Sequence, residues 1–192
     1  MTMGLVRKRT WGISAVGVAA MLALAGCGRG AADPEPTAGC SRPEGLVSVG
    51  ESIPSECTFE KVGGGFLRLA DLGGKPAVIN FWAAWCTFCI DEMPAFQKTY
   101  AALGGRVQFV GADLLDIQGE TKGAAETFGR STGVRYPLIY DKGGILYAHF
   151  SARLVMPVTV FVRGDGIVAF RQFGPMTEAT LRDTISKELG VR

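Results

Sequence analysis

The sequence predicts an α/β sandwich, a central mixed sheet with helices on both faces. Three observations lead there. Short apolar runs recur at 77–82, 107–110 and 158–162, each the length of a buried strand. Longer stretches of helical composition follow at 90–103, 120–132 and 177–189. The first apolar run delivers Cys86 and Cys89, with two residues between them, to the start of the first helical stretch.

The elements follow in order. Residues 58–69 alternate around Gly63-Gly64-Gly65, the pattern of a β-hairpin with a glycine turn. Asp71 to Pro76 turns the chain into the first central strand, 77–81, which is mostly apolar toward both faces as a buried parallel strand should be. Pro94 falls inside the first helix, where it cannot donate to the carbonyl of Ile90 and is expected to kink it. The second strand, 107–110, ends near Asp113. A helix over 120–132, a short strand over 136–140 and a helix over 144–152 come next. Strands over 158–162 and 167–173 flank the turn Gly164-Asp165-Gly166. A closing helix over 177–189 begins with Thr177 as its cap.

The cysteine spacing carries the chemistry. A cysteine at a helix N-terminus meets unsatisfied N–H groups and the positive end of the macrodipole, which favour its thiolate. Cys86 is therefore the attacking thiol. Cys89, almost one turn on, is placed to resolve the mixed disulfide formed on Cys86. A strand delivering Cys-x-x-Cys to a helix is the layout of a thioredoxin-type redox site. Zinc ribbons share the spacing but need a second ligand pair. Cys27, Cys40 and Cys57 include no second Cys-x-x-Cys, and the only histidine is His149, so no metal is expected. Thioredoxins proper often carry an acid where this chain has Asn80, which cannot accept a proton. Glu92, three residues past Cys89, projects to a similar side of the helix. Partly buried beside two thiols, it would have a raised pKa and could take the proton leaving Cys89. Asp91 suits a solvated acid at the helix start. His149 is given no role.

The run Asn80-Phe81-Trp82-Ala83-Ala84-Trp85-Cys86-Thr87-Phe88-Cys89, followed by Glu92-Met93-Pro94, resembles the TlpA/ResA family of bacterial extracytoplasmic thiol-disulfide oxidoreductases. The likeness continues upstream in 69–76 and downstream in Met156-Pro157-Val158-Thr159-Val160-Phe161, and covers roughly residues 48–189. It implies a thioredoxin-like three-layer sandwich with an N-terminal β-hairpin and a central insertion between the second and third core strands. It points to Glu92 as the family's glutamate. It also makes Pro157 a cis-proline facing the cysteine pair, which frees the backbone of Met156 to pair with an extended substrate. Trp85, Met156 and Pro157 are the expected substrate-binding residues.

The N-terminus reads as a separate segment. Arg7, Lys8 and Arg9 precede an uncharged apolar stretch over 11–24, which has signal-peptide proportions and is short for a bilayer span. It ends in Leu24-Ala25-Gly26-Cys27, which resembles a bacterial lipobox, with Cys27 acylated as the new N-terminus. Ordinary signal-peptidase cleavage and an uncleaved anchor are the competing readings. The expected layout is a lipoprotein signal peptide over 1–26, a flexible Gly/Ala/Pro-rich tether over 27–45 and the redox domain over 46–192. Three of the 20 basic residues and none of the 18 acidic ones lie in the signal, so the mature chain keeps 17 against 18. That balance gives no reason to expect nucleic acid as a partner. In an oxidising compartment Cys40 and Cys57, the two cysteines without a role, are expected to form a structural disulfide. Two unpaired thiols, or a bond to another molecule, are the alternatives.

These readings converge on thiol-disulfide exchange with cysteines of exported proteins, outside the cytoplasm and anchored to the cell membrane by lipid. The enzyme would exchange electrons with a membrane redox partner and need no cofactor beyond the Cys86–Cys89 pair. By resemblance it would be a reductase, for example of apocytochrome c during cytochrome c maturation. A disulfide-forming oxidant is the alternative. A thioredoxin-fold copper chaperone would want wider cysteine spacing and a later histidine. Peroxidase chemistry would want a cysteine with threonine and proline upstream.

Overall fold

The computed structural model describes residues 1–2 and 39–192. The expected signal peptide, Cys27 and the tether up to residue 38 lie outside the described residues, apart from the first two. Two short strands, β1 (Thr58–Glu60) and β2 (Phe66–Arg68), pair antiparallel. Gly63, Gly64 and Gly65 between them all have positive φ (88°, 104° and 77°), which glycine adopts without steric cost. This is the hairpin that the glycine run predicts.

The core of the molecule is a five-stranded sheet in the order β5-β4-β3-β6-β7. Its strands are β3 (Ala77–Trp82), β4 (Gln108–Asp113), β5 (Leu138–Tyr140), β6 (Val158–Val162) and β7 (Val168–Phe173). β3, β4 and β5 run parallel, while β6 and β7 are antiparallel to their neighbours. All six residues of β3 are buried, as a central strand with no polar face requires.

Three helices, α1 (Thr87–Leu103), α2 (Lys122–Thr132) and α4 (Glu178–Leu189), pack over one face around Val78, Trp82, Phe109 and Phe161. Trp82 stacks on Phe128 of α2 at 4.6 Å, an arrangement worth about 1 kcal/mol beyond area burial. The opposite face, lined by Ile79, Phe81, Val110 and Val160, is covered by the hairpin side of the chain and by the single turn α3 (Ile145–Ala148) with Phe150. The segment from β5 through α3 stands between β4 and β6, where the central insertion is expected.

Two helices, α1 and α3, differ most from the expectation in their bounds. α1 begins at Thr87 rather than residue 90, because Cys86 itself is the N-cap, its Sγ accepting the N–H of Cys89 at 3.2 Å. The helix runs as one element through Pro94, with the buried Met93 and Phe96 packing it on either side. The helix expected over 144–152 is only the turn α3. Gly143 and Gly144 take left-handed conformations that block extension backward, and Asp141 uses its carboxylate to accept the N–H groups of Leu146 and Tyr147.

Candidate active site

β3 ends at Trp82, and Ala83, Ala84 and Trp85 carry the chain to Cys86 at the start of α1. Cys86 is 5% exposed and Cys89 is fully buried. The two form a disulfide with Cα atoms 5.2 Å apart. The inequality in access suits an attacking first thiol and a shielded second one. A groove of about 370 Å³ opens beside Cys86, lined by Trp85, Thr87, Phe88, Gln118, Leu154 and Met156. Phe88 is 61% exposed, and Ile90, Leu154 and Val155 are also exposed. Trp85 is pinned by its indole N–H, which donates to the carbonyl of Ile117 at 3.1 Å.

The Met156–Pro157 peptide is cis. The carbonyl of Pro157 accepts the N–H of Gly174, whereas Met156 makes no backbone hydrogen bond among the described residues. Met156 therefore offers an open N–H and C=O at the edge of the groove that Cys86 lines.

Glu92 lies one turn past Cys89 and is 3% exposed. Its Oε1 accepts from Asn80 Nδ2 at 2.8 Å and its Oε2 from the backbone N–H of Met176 at 3.0 Å. Burial pushes its pKa up to about 7, and the two donors only partly offset that. Asn80 also donates to Thr159 Oγ1 at 3.1 Å. The neutral Asn80 thus holds the acid of α1 from the position where thioredoxins proper often carry their own. Asp91 is exposed.

Cys40 and Cys57 form a second disulfide, and Cys57 is fully buried against Phe59 and Leu69. His149 packs away from the groove, its Nε2 within 3.0 Å of the Ser41 carbonyl. Three buried acids escaped the sequence reading. Asp141 caps α3. Asp113 ends β4, and Glu120 precedes α2 with its Oε2 accepting the N–H of Ala84 at 2.8 Å. An acid closing an otherwise apolar strand was the available signal for Asp113. Among the described residues, no cluster of His, Cys, Asp and Glu is arranged to hold a metal ion.

A cysteine pair at a helix start, a cis-proline loop beside it and a sheet of this order define a thioredoxin-fold thiol-disulfide oxidoreductase. The chain belongs to the AhpC/TSA family, whose model matches residues 49–171. It is 31% identical to the thiol-disulfide oxidoreductase ResA of Bacillus subtilis (strain 168) over 139 residues, 71% of this chain and 74% of that protein. It is 35% identical over 102 residues to the soluble secreted antigen MPT53 of Mycobacterium tuberculosis, 53% of this chain and 55% of that protein. Among solved structures, a secreted Mycobacterium tuberculosis disulfide oxidoreductase homologous to Escherichia coli DsbE superposes with a TM-score of 0.60 at 28% identity, covering 68% of this chain and 94% of that one. The TlpA/ResA resemblance drawn from the motifs agrees with these relatives. The enzyme is a thiol-disulfide oxidoreductase.

Proposed function

We propose that the enzyme works outside the cytoplasm as a reductase of disulfides in exported proteins, in the manner of cytochrome c maturation. The observation that carries this reading is the Cys86 groove, with exposed aromatic side chains on one wall and the open backbone of Met156 on the other. An extended, partly apolar segment flanking a cysteine fits such a groove, its backbone pairing with Met156 and its side chains meeting Phe88 and Leu154. Trp85, Met156 and Pro157 are the substrate-contacting residues. The ResA likeness and the secreted relatives support the same placement.

The steps balance with no cofactor beyond the pair. The Cys86 thiolate attacks one sulfur of a substrate disulfide, forming a Cys86–substrate mixed disulfide and expelling the other sulfur as thiolate. Cys89 then gives its proton to the Glu92 carboxylate and attacks Cys86 Sγ, releasing the second substrate sulfur. The protein pair has lost two electrons and the substrate disulfide has gained them. A carboxyl with a pKa near 7 exchanges this proton at neutral pH with little driving-force penalty. A membrane redox partner restores the dithiol. Cys27 holds the protein at the membrane through its lipid, and the Cys40–Cys57 bond braces the segment ahead of β1.

The test is the reduction potential of Cys86–Cys89, measured against glutathione. A reductase requires a value near that of thioredoxin, about −270 mV, and a value near that of DsbA, about −120 mV, replaces it with a disulfide-forming oxidant.

A further inference from the structure

The loop between β4 and α2 reaches under the active-site turn at two consecutive residues. Glu120 accepts the N–H of Ala84, and the Ile117 carbonyl accepts the indole N–H of Trp85. The loop holds two non-glycine residues, Asp116 and Gln118, at positive φ (69° and 49°). Such conformations persist only where their surroundings over-determine them. Beneath it lie two carboxyl groups with unused acceptors. Glu120 is 3% exposed, and its Oε1 has no partner among the described residues. Asp113 is fully buried beside Trp82, and among the described residues neither of its oxygens has a partner.

Two charged carboxylates in that position would repel each other, and among the described residues the Ala84 N–H is the one donor to either of them. Burial, followed by the charges of Glu120, Asp141 and Asp116, raises Asp113 to about 8. The Asp141 carboxylate is already engaged by Leu146 and Tyr147, and Tyr140, the strand partner of Asp113 on β5, donates its phenol to Glu126. Trp82 on β3 contributes only an uncharged indole.

We propose that Glu120 is a positioning residue for the redox centre: through Ala84 it fixes the turn that sets Cys86 at the start of α1, and the buried, unpartnered Asp113 beside it is held in its protonated form. The inference rests on Cys86 being the attacking thiol. Ala84 is two residues from Cys86, and Asp113 pairs with Trp82 at the end of the strand that leads to it, so a charge appearing on Asp113 acts on the turn that holds the thiol. Loss of the Asp113 proton then disfavours the Cys86 thiolate and weakens its reactivity.

The test uses the reduced full-length protein and iodoacetamide, with the alkylation rate of Cys86 followed against pH and the labelled cysteine identified by peptide mapping. Wild type shows the thiol titration with a second inflection near pH 8. Asp113→Asn removes that inflection. Glu120→Gln retains an acceptor for Ala84 and keeps the plateau rate within about twofold, with the inflection moved to lower pH. Glu120→Ala lowers the plateau about tenfold, the effect of one lost buried hydrogen bond on the geometry of the turn. If Glu120→Ala does not fold, the Asp113→Asn and Glu120→Gln profiles decide alone. A second inflection that persists in Asp113→Asn overturns the proposal, as does a Glu120→Ala plateau equal to wild type. Labelling of Cys89 ahead of Cys86 in wild type is a separate result, and it refutes the assignment of the attacking thiol.

Discussion

Replacing Glu92 by glutamine removes the one titratable group that shares α1 with both thiols and is buried against the sheet. In the folded protein the Glu92 pKa is raised from 4.5 to about 7. The folded state thus binds this proton more tightly than the unfolded chain. Its contribution is fully present below pH ~4.5 and is lost as pH rises through 7. A raise of this size corresponds to about 3 kcal/mol of cost at pH 8 relative to pH 4. Glutamine carries no such cost. Its amide can accept from Asn80 but leaves the Met176 N–H without a good acceptor, which costs about 1–3 kcal/mol at every pH. Urea unfolding of the oxidised protein from pH 4 to pH 8 separates the two effects. The difference between Glu92→Gln and wild type should move by about 3 kcal/mol in favour of the variant across that range. In parallel, exchange with a disulfide peptide at pH 7 should slow on the order of 10²-fold, the usual contribution of a positioned acid–base group. A stability difference independent of pH would refute the buried, protonatable Glu92. A normal exchange rate would refute its role as proton acceptor for Cys89.

Two further outcomes follow from the other cysteines. Replacing both Cys40 and Cys57 by alanine should lower stability by ~3 kcal/mol, the loop-closure value for a bridge of similar span, read as a lower urea midpoint with the potential of Cys86–Cys89 unchanged. Replacing Cys27 by alanine should release the protein from membranes or leave its signal unprocessed, read by fractionation and mass spectrometry; unchanged size and unchanged membrane association would count against the lipid anchor.

Much of this architecture was legible because it depends on local signals. The apolar run of β3, the glycine turn after β1 and the cap at Thr177, whose Oγ1 accepts from Thr180 N–H, are each written within a few residues. The Cys86–Cys89 spacing needs only a helix start to carry its meaning. Asn80 was readable as a missing acid, and the structure shows that position holding Glu92 instead. What was not legible is non-local. Glu120 read as the beginning of a helix, yet Thr121 is the cap of α2 and Glu120 turns back 36 residues to Ala84. Asp113 and Asp141 are acidic residues in a buried layer, where packing overrides the rule that acids face water. The shortening of α3 depended on two left-handed glycines whose conformation composition alone does not reveal.

The central claim is that Cys86 attacks and Cys89 resolves, and trapping tests it most directly. Cys89→Ser, reduced and mixed with an excess of a disulfide-containing peptide, should accumulate a mixed disulfide at Cys86, seen as an added peptide mass on the intact protein. Cys86→Ser under the same conditions should stay free, because Cys89 is fully buried. Trapping at Cys89 in the Cys86→Ser protein, with none at Cys86 in the Cys89→Ser protein, would contradict the account.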